Sequence, residues 1–193
     1  VAAPICTILG GPNGSGKSSL YRALDLPGEF VNADLVARRI DPVDPEAASV
    51  ATGRDFVYET TLSSNQAISL MRRARETGYQ VALVFVALES ADLNVERVGD
   101  RVRKGGHAIP EPVIRRRYGI ALSRLAQAIP PAHETAVFDN SEATTRLLLR
   151  IAGEAIEENH LDRRKALHGR IADAVAQALG IGVTEAFLLG RSD

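Results

Sequence analysis

Gly10-Gly11-Pro12-Asn13-Gly14-Ser15-Gly16-Lys17-Ser18-Ser19 is the stretch that decides the fold. From Gly11 to Ser18 it reads G-x-x-x-x-G-K-[ST], the spacing of a phosphate-binding loop. Glycines let such a loop turn back, so that its backbone N–H groups point inward at phosphate oxygens. The flanks agree. Ile5 to Leu9 is a short apolar run suited to a buried parallel strand, and Ser18 to Leu24 opens a helix whose N-terminal dipole favours an anion. The loop residues Gly11 through Ser19 are therefore expected to wrap the phosphates of ATP. Lys17 is expected to reach the β- and γ-phosphates, and the Ser18 hydroxyl to hold Mg²⁺.

Working outward, short apolar runs at Phe30–Asn32, Phe56–Tyr58, Gln80–Ala87 and Thr135–Phe138 alternate with helical stretches at 35–40, 45–51, 67–77 and 91–103. Gln80–Ala87 is apolar almost throughout, as a strand buried on both faces must be. This alternation predicts βαβ units and an α/β fold. The expected architecture is a P-loop kinase-like three-layer α/β/α sandwich, with a mainly parallel sheet of five or six strands and a helical lid. Arg146 to Glu158 suits an edge hairpin or, in competition, a helix over 143–157. A single domain over 1–193 is expected, with the lid at about 90–128 and a terminal helix at about 161–180.

Ligands in open α/β sheets sit beyond the carboxyl ends of the strands. Asn32 and Asp34 follow the second strand, and Glu59, Thr60 and Thr61 close the third. These five are the expected acceptor-binding residues. Asp34 suits a base that takes an acceptor hydroxyl proton or an acid that organises the metal; it also suits the N-cap of the helix that follows. No acid ends the apolar fourth strand, so the second and third strands supply the carboxylates. Between Arg97 and Arg117 lie seven basic and two acidic residues, an excess of +5 in a chain of net charge −1. An arginine-rich helix–glycine–helix arm after the fourth strand suits a lid that neutralises a transferring phosphoryl group. Arg101, Arg103, Arg115 and Arg116 are its catalytic candidates, beside Lys17 and Asp34. His107 follows the lid glycines and suits either a phosphate contact or a hinge.

Composition excludes other classes. The near-neutral charge gives no global field for nucleic acid, and only nine Phe and Tyr residues, with no Trp, are available for base stacking. A lone Cys6 excludes an internal disulfide framework and a cysteine zinc site. His133, His160 and His168 have no metal-ligand spacing. No apolar run reaches membrane-span length and no secretory signal is visible, so neither membrane nor nucleic acid is an expected partner and the cytoplasm is the expected compartment.

Taken in order, the phosphate loop, Phe30-Val31-Asn32-Ala33-Asp34, Tyr58-Glu59-Thr60-Thr61-Leu62-Ser63-Ser64, Gly105-Gly106-His107-Ala108-Ile109-Pro110, Arg115-Arg116-Arg117-Tyr118 and Phe138-Asp139-Asn140-Ser141 resemble the zeta toxin family, in particular its short bacterial members. The resemblance spans roughly residues 5 to 141. It implies a P-loop kinase that transfers the ATP γ-phosphoryl group to a hydroxyl of UDP-N-acetylglucosamine, and it implies an antitoxin as a protein partner. Lys17 and Ser18 match the family's loop lysine and magnesium-binding hydroxyl, Asp34 its base, and Glu59 a substrate-linked glutamate. Glu59-Thr60-Thr61 replaces the family's Glu-Gly-Thr, and the lid is built on Gly-Gly-His, so the lid arginines do not transfer by position. The alternatives are a kinase for another nucleotide, sugar or small-molecule acceptor, and a nucleotide-gated ATPase that signals to a partner.

Overall fold

The computed structural model describes residues 2–32, 50 and 53–191. Asp34, the helix expected over 35–40, the turn at 41–45 and the helix expected over 45–51 lie outside the described residues, Val50 excepted. Seven strands form one sheet: β1 (Ile5–Gly10), β2 (Glu29–Asn32), β3 (Phe56–Thr60), β4 (Gln80–Ala87), β5 (Glu134–Asp139), β6 (Arg146–Ala152) and β7 (Ala155–Asn159). Their order is β2-β3-β1-β4-β5-β6-β7. The first five run parallel, and β6 and β7 add an antiparallel edge. Six helices are described: α1 (Lys17–Leu24), α2 (Gln66–Glu76), α3 (Ala91–Arg103), α4 (Glu111–Ala128), α5 (Ala166–Leu179) and α6 (Val183–Ala186).

Alternation along the central strands explains the layers. Cys6 and Ile8, Phe56 and Tyr58, and Val81, Leu83 and Phe85 point to one face, where α2, α4 and α5 bury Leu70, Met71, Leu122, Leu125, Ile171 and Val175 against them. Leu9, Val57, Val84 and Val86 point to the other face and meet Leu20 and Tyr21 of α1. Each central strand is covered on both sides, which is why Gln80–Ala87 reads as an unbroken apolar run.

The sheet has seven strands and not the five or six expected, because 146–159 forms the edge hairpin, and not the competing helix, and adds both of its strands to the sheet. Leu148, Leu149 and Ile151 are buried, and Gly153 takes a left-handed φ of 57° at the turn. The terminal helix is confined to Ala166–Leu179, because Asp162 bonds Arg164 locally and holds the preceding segment out of the helix. The chain beyond Gly180, which carries no sequence signal, forms α6 and buries Ala186 and Phe187.

The parallel strands bring their carboxyl ends to one edge. Gly10 lies beside Thr60 and Phe85, Asn32 beside Glu59, and Ala87 beside Asp139. The phosphate loop leaves the middle of that edge.

Candidate active site

The loop is shaped by two close approaches. Gly11 has φ 142°, and a Cβ there would meet the Val86 carbonyl oxygen at 2.2 Å. Gly16 has φ 90°, and its Cβ would meet Asn140 Nδ2 at 2.2 Å. Neither position accepts a side chain. Asn140 uses the space at Gly16: its Nδ2 donates to the Ser15 carbonyl at 2.8 Å, and Thr145 Oγ1 donates to its Oδ1 at 2.6 Å. On the other side, Asn94 Nδ2 donates to the Asn13 carbonyl, and Arg117 Nη1 donates to Asn13 Oδ1 at 3.2 Å.

Lys17 is only 6% exposed, so its ammonium needs compensation. It donates to the carbonyls of Gly11 at 2.7 Å and Pro12 at 3.1 Å, and its Nζ lies 3.9 Å from Glu59 Oε1. Ser18 Oγ donates to Glu59 Oε2 at 3.3 Å. Glu59 thus faces the loop from β3, the strand directly beside β1. A hydroxyl next to a carboxylate is a hard-oxygen pair that suits Mg²⁺, which keeps several waters and takes its other ligands from phosphate. No group of three or more His, Cys, Asp or Glu side chains gathers among the described residues.

Above the loop lies a cleft of about 1020 Å³. One wall runs from the end of β3 to the start of α2: Thr60, Thr61, Ser63, Ser64 and Gln66. Leu62 anchors that wall, fully buried, with a left-handed φ of 54° and its N–H bonded to Thr60 Oγ1 at 3.1 Å. A buried branched side chain in that backbone region is held there by its surroundings, a pattern common at binding sites. The opposite wall is the α3–turn–α4 arm, with Arg97, Arg101, His107, Ile109, Val113 and Arg117. Ser90 caps α3 by accepting from the Leu93 N–H at 3.2 Å, and the Tyr118 hydroxyl ties α4 to the carbonyls of Leu88 and Glu89. The arm is rooted at the end of β4.

The structure brings together Asn13, Gly14, Gly16, Lys17, Ser18, Ser19, Glu59, Thr60, Thr61 and Arg101 around the cleft. Gly11, Pro12 and Ser15 form the buried back of the loop. Asn32 ends β2 beside Glu59. Three lid candidates do not line the cleft. Arg103 pairs with Asp100; Arg115 pairs with Asp92 at 2.6 Å and Glu111 at 2.7 Å; Arg116 is exposed. Arg97 and Arg117 take their place, and helical spacing is the reason. Arg97 and Arg101 are four apart on one face of α3, while Arg116 lies a helical step away from Arg117 and turns outward. That spacing was the signal available for them. Of the two residues that hold the loop from behind, Asn94 gave no such signal, and Asn140 was marked only by its strand end and by the Phe138–Ser141 stretch of the family resemblance.

A strand, phosphate loop and helix at the centre of a 2-3-1-4-5 parallel arrangement, facing an arginine-bearing helical arm, define a P-loop protein of the kinase-like class. The zeta toxin family model matches residues 46–154, more than half of the chain, and the chain belongs to that family. An uncharacterized protein of Haemophilus influenzae is 34% identical over 123 residues, covering 56% of this chain and 88% of that protein. The fold is similar to that of AvrRxo1-ORF1:-ORF2 in its crystal structure with ATP, with a TM-score of 0.63, 15% identity, and coverage of 96% of this chain and 77% of that one. It is also similar to a structure of the PezAT chromosomal toxin–antitoxin system of Streptococcus pneumoniae, with a TM-score of 0.51, 13% identity, and coverage of 74% and 72%.

Proposed function

We propose that the protein is an ATP-dependent kinase that phosphorylates a hydroxyl of a small-molecule acceptor, UDP-N-acetylglucosamine in the first instance. One observation carries this reading: four cationic side chains from three helices, Lys17, Arg97, Arg101 and Arg117, face one carboxylate, Glu59, across a single cleft. Such a field suits a polyphosphate whose charge must be held while one phosphoryl group moves. The ATP-bound AvrRxo1-ORF1:-ORF2 structure supports ATP as the donor.

In this reading the loop amides and Lys17 hold the β- and γ-phosphates. Ser18 and Glu59 would hold Mg²⁺, which neutralises phosphate charge when bound. The arm arginines gather the equatorial oxygens. The bond from the γ-phosphorus to the β–γ bridging oxygen breaks as a bond to the acceptor oxygen forms, and ADP leaves. Asp34 takes the acceptor proton. The hydroxyls of Thr60, Thr61, Ser63 and Ser64 with the amide of Gln66 offer a polar wall to a sugar, and Ile109 and Val113 an apolar one. The proposed place of action is the cytoplasm, where ATP and nucleotide sugars are found, and an antitoxin protein is the proposed partner, as the PezAT system supports.

The test is direct. Purified protein with ATP, Mg²⁺ and UDP-N-acetylglucosamine should yield a sugar nucleotide heavier by one phosphoryl group, and Asp34→Asn should lower the rate by at least about a hundredfold. ATP turnover without such a product, restored by another hydroxyl compound in an acceptor panel, would assign a different acceptor. Hydrolysis indifferent to every acceptor and to Asp34→Asn would replace the kinase by a nucleotide-gated module.

A further inference from the structure

His168 stands on α5, outside the cleft and beyond the residues matched by the family model, and it is 3% exposed. Its Nδ1 accepts from the Asp162 backbone N–H at 2.8 Å. The neutral ring therefore carries its proton on Nε2. Among the described residues that Nε2 has no hydrogen bond in normal range, and it faces Asp139 Oδ2 at 3.6 Å. Asp139 ends β5 and is 7% exposed. Its Oδ1 accepts from the Ser141 N–H at 2.9 Å and from the Ser141 hydroxyl. Burial works to raise this carboxyl, but the neighbouring His168 imidazole and the two donors of Ser141 outweigh it and hold Asp139 at about 2. A buried carboxylate that stays ionised needs polar partners, and the His168 Nε2–H, 3.6 Å away, is the polar group that faces its Oδ2 from α5.

The turn fixed in this way reaches the cleft twice. Asn140 holds the Ser15 carbonyl at 2.8 Å, and the Ser141 carbonyl accepts from Arg97 Nη2 at 3.1 Å. The Ser141 hydroxyl also accepts from the Glu89 N–H at 2.7 Å, which ties in the root of the arm. Three consecutive residues thus set the back of the phosphate loop and one cleft arginine.

We propose that His168 is a positioning residue of the phosphate site: by closing the Asp139 carboxylate it fixes the 139–141 turn, which places the loop through Asn140 and Arg97 through Ser141. This rests on the cleft being a nucleotide phosphate site, and it extends the working site to a helix that touches no substrate.

The experiment measures thermal unfolding and the Kd for Mg²⁺ with the non-hydrolysable analogue AMP-PNP in the wild type, His168→Leu, His168→Gln, Asn140→Ala and the Asn140→Ala/His168→Leu pair. Ile171→Ala, a core truncation on the same helix, is the control. His168→Leu is expected to weaken binding about tenfold while folded, as replacing the polar group that faces a buried carboxylate by an apolar one predicts. His168→Gln, whose amide N–H can stand where Nε2–H stands, should restore most of it. The pair should lose no more than its weaker-binding single variant, since both act through one turn. Ile171→Ala should lower stability and leave the Kd within about twofold. Should His168→Leu not fold, Asp139→Asn carries the same expectation. A folded His168→Leu with wild-type affinity, an equal loss in Ile171→Ala, or independent losses in the pair overturns the inference. Wild-type protein that does not bind AMP-PNP overturns the phosphate-site reading and this inference with it. Binding without phosphoryl transfer to any acceptor overturns only the kinase reading.

Discussion

Arg117 and Arg115 lie two positions apart on α4 and differ in everything that matters to the cleft. Arg117 donates to Asn13 of the phosphate loop; Arg115 is held at the surface by Asp92 and Glu111. Surface ion pairs of this kind contribute little. Arg117→Ala is therefore expected to lower kcat/KM for ATP by about a hundredfold, while Arg115→Ala stays within about threefold; steady-state kinetics on the two folded variants checks this. Arg101 should behave like Arg117 and Arg103 like Arg115. Glu59 is the second residue whose meaning depends on its neighbour. Facing Ser18 at 3.3 Å, it suits a metal-organising acid. Glu59→Gln, which keeps shape and removes charge, should raise the Mg²⁺ concentration needed for half-maximal turnover by about tenfold, measured by metal titration at saturating ATP.

At the scale of elements, the loop is a strand-to-helix connection in which two positions are closed to any side chain. Gly16→Ala would force a Cβ into Asn140 Nδ2 while holding a left-handed backbone. The expected cost is about 1–3 kcal/mol of stability together with loss of nucleotide binding, read by chemical denaturation and by AMP-PNP titration. Propensity and pattern were informative here. Gln80–Ala87 and the Ser90-capped α3 have the bounds that the sequence predicts. The hairpin was ambiguous because Arg146–Ala152 is an apolar run without a decisive period, and only pairing with β5 and burial of Leu149 settle it as a strand. The Tyr118 ring, capped by Arg170 at 5.2 Å, serves the packing of the arm against α5 and not the cleft.

At the scale of the whole molecule, Asp139 couples the site to stability. Its carboxyl is held at about 2, below the ordinary 3.8. A depressed folded value means that the native state binds its proton less readily than the unfolded chain. The stability it contributes is complete above 3.8 and fades as pH falls from 3.8 towards 2. The stability gap between wild type and Asp139→Asn should therefore narrow by roughly 2 kcal/mol as pH is lowered from about 5 to about 2, in urea titrations across that range. Burial also pushes the Cys6 thiol up to about 12, so it stays protonated inside β1. No helix among the described residues is long and apolar enough to cross a membrane.

By itself the sequence determined the local pieces of this protein: the glycine spacing from Gly11 to Gly16, the lysine and serine that follow, the apolar strands and the acids at their ends. These are legible because each depends on residues next to one another in the chain, through backbone sterics and hydrophobic period. The tertiary structure decided what faces what. It set Glu59 against Ser18 across 41 positions, selected Arg97, Arg101 and Arg117 from a run of seven basic residues, and placed Asn140 behind a loop 125 positions away. Those relations come from sheet order and helix rotation, which bring together residues that share no local pattern. For that reason the phosphate loop could be read from ten residues, while the groups that position it appear only when the chain is folded.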